Sequence, residues 1–294
     1  MQIIRRSSIV FYSALALILG IAVGIILFQI GYSPLWAALV VASVLYLGGR
    51  KALRRWRVAQ RPFPDVWRDW LSSNVPFYTR LSKGARERFE RDILFFLDEW
   101  RFEGVANVQV KDEHRLAVAA GAALLLHGRP TWELPTRRSI LLYPDRFDDD
   151  YFNASDAAYD GMVHAQGPII LSTKAVITSW TYPHRGDNVI LHELAHLFDF
   201  SHGEAEGVPT LMDPSSARAW EELVEREMRK VRHGKSLLRS YAATDGAEFF
   251  AVAVENFFER PEAMKKRHCQ LYEALSAFFN LDPAAILSRS QEQK

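Results

Sequence analysis

Apolar residues are distributed along the chain in three ways. From Ser7 to Gly49 every position is uncharged, and the run from Ile9 to Ile30 is long enough for the roughly 20-residue helix that crosses a hydrocarbon core. After the turn-like Gly31-Tyr32-Ser33-Pro34, a shorter apolar run follows. Pro34 is placed for the first turn of a helix, and Trp36 and Tyr46 stand near its ends, where amphipathic rings favour a membrane interface. Arg5 and Arg6 precede the uncharged stretch, and Arg50, Lys51, Arg54, Arg55, Arg57 and Arg61 follow it. The pattern predicts a transmembrane helical hairpin over residues 1–49, with spans at about 9–30 and 33–48. A basic juxtamembrane linker over 50–64 comes next, able to meet anionic head groups of the lipid bilayer. Basic residues on both flanks of an uncharged turn put both ends on the cytoplasmic side of a bacterial-type inner membrane, with the rest of the chain facing the cytoplasm. A cleaved signal peptide fits poorly, because the first run exceeds a signal core and no small-x-small cleavage site follows it, whereas a single crossing is the alternative that would export the rest of the chain.

From Asp65 to Lys294 the apolar positions become periodic. Gly84 to Trp100 shows helical spacing, and Asp112 to Gly128 is apolar nearly all round over an uncharged run too short to cross a membrane, which predicts a buried core helix. Ser139 to Pro144 and Gly167 to Trp180 read as strands, and helices dominate after Asn188. The expected fold is α+β, mostly helical with a small sheet.

Composition narrows the function. With 294 residues and 49% hydrophobic content the chain fills one sizeable core plus an appendage. A formal net charge of +1 gives no support for nucleic-acid binding. Cys269 is the only cysteine, which excludes an intramolecular disulfide and a thiolate-rich metal site. Any metal is held by histidine and carboxylate.

Such residues occur in "VILHELAHLFDFSHGE", Val189 to Glu204, which contains His192, Glu193 and His196 in the order His-Glu-x-x-His. On a helix, residues four apart share a face with Cβ atoms about 5–6 Å apart, so both histidines can reach one ion with Glu193 beside them. A catalytic zinc site takes a third protein ligand. Asp199 falls on the same stripe, one short side chain further along, and makes a better acceptor for a ring N–H or a neighbouring backbone group than a ligand. His202 stands at the last position of the metzincin pattern, and "PTLMDP" (Pro209 to Pro214) resembles a methionine turn, although Asp199 occupies the position of the turning glycine. The distant candidates are Glu248 and Glu255, seven apart on one face of an apolar helix, where a carboxylate is costly unless paired.

From about Trp67 to Pro283 the chain resembles the Mlc titration factor family of zinc peptidases. The matching blocks are "LLYPDRF", "GPIILS", "DNVILHELAHLFD", "EGVPTL", "SYAATDGAEFFAVAVENFFERP" and "LYEALSAFFNLDP". The resemblance implies a gluzincin-like zincin fold akin to the catalytic domain of anthrax lethal factor. It implies one Zn2+ held by His192, His196 and Glu248, Glu193 as general base, and Tyr241 as oxyanion stabiliser. Asp199 and Glu255 are expected to support the ligands from behind, and the strand at "GPIILS" to pair with an extended substrate. Peptidase action on a peptide or protein substrate, aminopeptidase-like in the family's namesake, and binding of a transcriptional regulator are further implications. The membrane hairpin is absent from soluble members of the family.

Overall fold

Two stretches of the N-terminus have little reason to break as helices. Arg6–Gln29 (α1) and Leu35–Ala59 (α2) are rich in Ala, Leu, Ile and Val, and the turn between them carries Gly31 at φ 79°. The computed structural model describes residues 1–3, 6–31, 33, 35–134, 139–144, 161–163, 167–182, 184–201, 204–205 and 207–288. Within α1 and α2, a Cβ on Gly20 would meet Val41, one on Gly24 would meet Ala37, and one on Gly48 would meet the Tyr12 ring. These pairings run in opposite chain directions, so the two helices form an antiparallel hairpin, with Val41 and the Tyr12 ring fitting against Gly20 and Gly48. Both helices are long and apolar enough to cross a membrane by length and composition. The stretch from Arg50 to Ala59, expected as a linker, is helix. Its Arg, Lys, Leu and Ala are good helix formers, and no proline intervenes before Pro62.

Contacts divide the chain into two units, Met1–Pro62 and Phe63–Lys294. The second unit opens with Asp65–Asn74 (α3), Pro76–Thr79 (α4) and Lys83–Glu99 (α5), then the edge strand Arg101–Gly104 (β1) and the helix Asp112–Leu126 (α6). From Leu116 to Leu126 α6 is buried at every position, as its all-round apolarity requires. Three further strands, Ser139–Tyr143 (β2), Gly161–Val163 (β3) and Ile169–Ser172 (β4), complete a sheet of order β1-β2-β4-β3. β1, β2 and β4 are parallel, with Ile140 opposite Ile169, and β3 runs antiparallel to β4.

Two expectations are corrected here. Residues 167–180 are not strand throughout. β4 stops at Ser172, whose hydroxyl accepts the Ala175 N–H at 3.2 Å and caps the helix Thr173–Thr181 (α7). An apolar run of this length does not distinguish strand from helix, and the serine decides it. The "GPIILS" strand also cannot take an added substrate strand, because β2 and β3 occupy its two edges.

The remainder is helical: Val189–Asp199 (α8), a two-residue ladder of Phe200–Ser201 (β5) and Glu204–Ala205 (β6), Pro214–Arg232 (α9), a 3-10 turn at Ser240–Ala243, then Gly246–Glu259 (α10), Pro261–Arg267 (α11), Cys269–Phe279 (α12) and Pro283–Leu287 (α13). α8 lies between α6 and α10 and is buried from Ile190 to Asp199. Gly121 of α6 faces Ile190, and a Cβ there would collide with the Ile190 side chain, so this glycine sets how close the two helices approach. Phe198, Phe250, Phe278 and Phe279 pack edge to face around the far side of α8 and α10, and Phe257 stacks on Phe279.

Candidate metal centre

α8 begins at Asn188, and this residue has every polar group engaged. Its side-chain oxygen accepts the Leu191 N–H at 3.1 Å, its amide nitrogen donates to Ser179 O and Glu259 Oε1, and its backbone N–H donates to Glu255 Oε2 at 2.8 Å. The helix start is thereby fixed to α7 and to α10. Four and eight residues along α8, the rings of His192 and His196 meet edge to face with centroids 4.9 Å apart.

α10 supplies the opposite wall. Asp245 caps it by accepting the Glu248 N–H at 2.9 Å, which sets Glu248 in the first turn with its side chain toward α8. Glu248 Oε2 lies 3.0 Å from His192 Nε2, Glu248 Oε1 lies 3.6 Å from His196 Nε2, and the two Nε2 atoms are 3.3 Å apart. Each of the three residues offers one ligand atom, all within 4.8 Å of one another. Two turns further along α10, the fully buried Glu255 accepts the His192 Nδ1–H through Oε1 at 2.7 Å. With Nδ1 carrying the proton, His192 Nε2 is left as an acceptor, facing another imidazole nitrogen and a carboxylate. Three acceptors converging at these distances call for a cation between them, and two imidazoles with one carboxylate are a donor set suited to a divalent metal.

The electrostatics show the same demand for positive charge: without a metal, a proton on His192 Nε2 meets Glu248 where the cation would stand. Burial would lower the His192 pKa, but its hydrogen bonds to Glu248 and Glu255 and the charges of Glu255 and Glu193 outweigh burial and raise it to about 10. Burial and the charge of His192 lower His196 to about 4, which keeps that ring neutral and available as a ligand. Burial pushes the Glu193 carboxyl up to about 8, with Glu248 and Glu255 adding to the rise and His192 opposing it. Glu248 stays below the ordinary carboxylate range. Burial acts upward there, and the hydrogen bond and charge of His192, with a hydrogen bond from Tyr241, outweigh it.

A model of the family described as glucose-regulated metallo-peptidase M90 matches residues 50–280. The chain belongs to the M90 family. Similar curated proteins include an uncharacterized protein of Synechocystis sp., 30% identical over 83% of this chain and 95% of that protein. The Mlc titration factor A proteins of Pectobacterium atrosepticum and Yersinia enterocolitica are 33% and 26% identical, each over 80% of this chain and over 94% and 93% of their own lengths. For an M90 metallopeptidase, the converging His192, His196 and Glu248 are compatible with the metal that the family implies.

The candidate site draws together most of the residues singled out in the sequence. Tyr241 lies in the 3-10 turn with its ring 6.0 Å from that of His192, and it is 37% exposed. Asp199, at the end of α8, uses Oδ2 to accept the Gly207 N–H at 2.7 Å, so the group it holds is backbone. His202 lies outside the described residues. Three contributors had not been picked out. Asn188 was legible as a helix cap before an apolar run, and Gly207 was only one of 16 glycines. Arg239, whose Nη2 donates to Glu255 Oε1 at 2.7 Å, has no sequence signal of its own.

Proposed function

We propose that this protein is a membrane-anchored, zinc-dependent peptidase of gluzincin type, in which His192, His196 and Glu248 hold one Zn2+. The observation that carries the reading is the convergence of His192 Nε2, His196 Nε2 and the Glu248 carboxylate beside a buried Glu193. Zinc, when bound, supplies Lewis acidity that polarises a peptide carbonyl and brings the pKa of water to about 7. Glu193, buried beside the ligands and in its ionised form, takes the proton of the attacking water and returns it to the leaving amine. Tyr241 turns its hydroxyl from Glu248 to the developing oxyanion, a movement that its partial exposure allows. Glu255 holds the His192 ring by Nδ1, and Asp199 fastens the chain that leaves α8. Because β4 has no free edge, an extended substrate pairs with the outer edge of β3. Residues 1–49 form the membrane hairpin, residues 50–64 the connection and residues 65–294 the catalytic domain, which faces the cytoplasm from the inner membrane. The two apolar N-terminal helices and their basic flanks support that placement.

The name Mlc titration factor A, borne by several relatives, favours a second reading. In it the tethered domain sequesters a transcriptional regulator with little hydrolysis. The presence of Glu193 and Tyr241 beside the ligands supports chemistry, since capture of a partner needs neither. Whether hydrolysis is aminopeptidase-like is decided by comparing free and N-blocked peptides.

Zinc content and peptide hydrolysis test the assignment. Glu193→Gln keeps zinc and loses activity, Glu248→Ala loses both, and His202→Ala stays near the parent. Loss of zinc in His202→Ala with Glu248→Ala unaffected would replace the reading by a metzincin site.

A further inference from the structure

Arg239 stands immediately before the 3-10 turn, and its side chain reaches into the site beside the Tyr241 ring. Its Nη2 donates to Glu255 Oε1 at 2.7 Å and its Nη1 donates to Asp187 Oδ1 at 2.6 Å, on the residue preceding the α8 cap. The guanidinium carbon stands 5.6 Å from the centroid of the Tyr241 ring, within range of a cation–π contact. Arg239 Nη2 also comes within 3.2 Å of His192 Nδ1. Both atoms carry hydrogens directed at the same acceptor, Glu255 Oε1, so this approach is side by side rather than a bond. One planar group therefore touches three segments: the entry to α8, the middle of α10 and the turn carrying Tyr241.

We propose that Arg239 is a positioning residue that sets the Tyr241 phenol against the His192–Glu255 pair. The backbone geometry makes the link direct. The Arg239 carbonyl accepts the Ala242 N–H at 3.0 Å, so anchoring the side chain at one end of the turn fixes the ring two residues later. A guanidinium fork is required because two carboxylates on different segments must be met at once, with a flat face left for the ring. Lysine, a point charge, can meet one carboxylate or cover the ring. The kinetic consequence of this role rests on the peptidase reading, whereas the placement of the ring does not.

The experiment uses the purified full chain labelled with fluorotyrosine, in which the 19F resonance missing from Tyr241→Phe identifies Tyr241. In Arg239→Met that resonance shifts and broadens, with and without added zinc, while the others hold. Zinc stoichiometry remains that of the parent. Kcat falls about tenfold with little change in KM, a fraction of the 10²–10³ that removing an oxyanion donor costs. Arg239→Lys restores part of that loss, and adding Arg239→Met to Tyr241→Phe lowers kcat no further. Asp187→Asn, which leaves buried Glu255 paired, produces a smaller shift of the same resonance and covers the case in which Arg239→Met fails to fold. An unmoved Tyr241 resonance in the Arg239 and Asp187 variants, or effects of Arg239→Met and Tyr241→Phe on kcat that multiply, would overturn the assignment. If the parent chain cleaves no peptide, the peptidase reading falls, and the resonance alone decides the role of Arg239.

Discussion

A carboxylate that reaches no solvent needs a partner for each oxygen, and Glu255 has them: the Asn188 N–H on one oxygen, His192 and Arg239 on the other. That requirement made Glu255 and Glu248 legible in sequence, since both sit on an apolar stripe where an unpaired charge is costly. Arg239 was not legible, because an arginine in a polar loop looks like any solvated arginine until the fold brings a buried carboxylate to it. Buried histidines away from the site carry a different consequence. Burial, and next the charge of Arg88, hold the His127 imidazole down at about 4. The unfolded chain takes up that proton near 6.5, so between pH 6.5 and 4 the unfolded state binds more protons and stability falls as pH falls. His114, also lowered by burial, acts in the same direction. The expected contribution of His127 is on the order of 3 kcal/mol across that window. It is read as the difference in urea midpoint against pH between the parent and His127→Gln, and curves that run parallel would refute it.

Among the elements, the spacing of α8 and α10 decides whether three ligands meet, and a glycine controls it. Gly207, at φ 80°, would bring a Cβ against the backbone of Gly246, the first residue of α10. Its N–H is held by Asp199 and its carbonyl accepts the Trp220 indole N–H at 2.7 Å, so it cannot retreat without breaking both bonds. Gly207→Ala is expected to lose about 1–3 kcal/mol from backbone strain and to push the first turn of α10, with Glu248, away from the histidines. Circular dichroism should then show retained helix while chelator competition shows weakened zinc affinity, and an unchanged affinity would count against this account. The block "EGVPTL" was visible as a resemblance, but its reason was not, because the partner surface lies 39 residues further along. The misread end of β4 has a similar origin. Ile169 to Trp180 mixes apolar residues with Thr173, Lys174, Thr178 and Ser179 without a decisive period, and the Ser172 hydroxyl marks where strand gives way to helix.

For the whole molecule, the division into an apolar N-terminal hairpin and a globular remainder was plain in the sequence, because 43 consecutive uncharged residues contrast with an ordinary mixed composition. Sheet order was not, because β3 has three residues and its pairing with β4 leaves no periodic trace. The proposed topology predicts that a reporter fused to the C-terminus responds as a cytoplasmic protein, and a periplasmic response would reject it. The continuity of α2 through its basic half adds a further constraint. Its 25 residues make a rod of about 37 Å, but the uncharged portion from Leu35 to Gly49 accounts for only about 22 Å, against a hydrocarbon core of about 30 Å. The proposed insertion would subject this helix to hydrophobic mismatch. The bilayer would thin around it, or Arg50 and Lys51 would bend toward the head groups, and in both cases thin membranes would hold this protein more readily than thick ones.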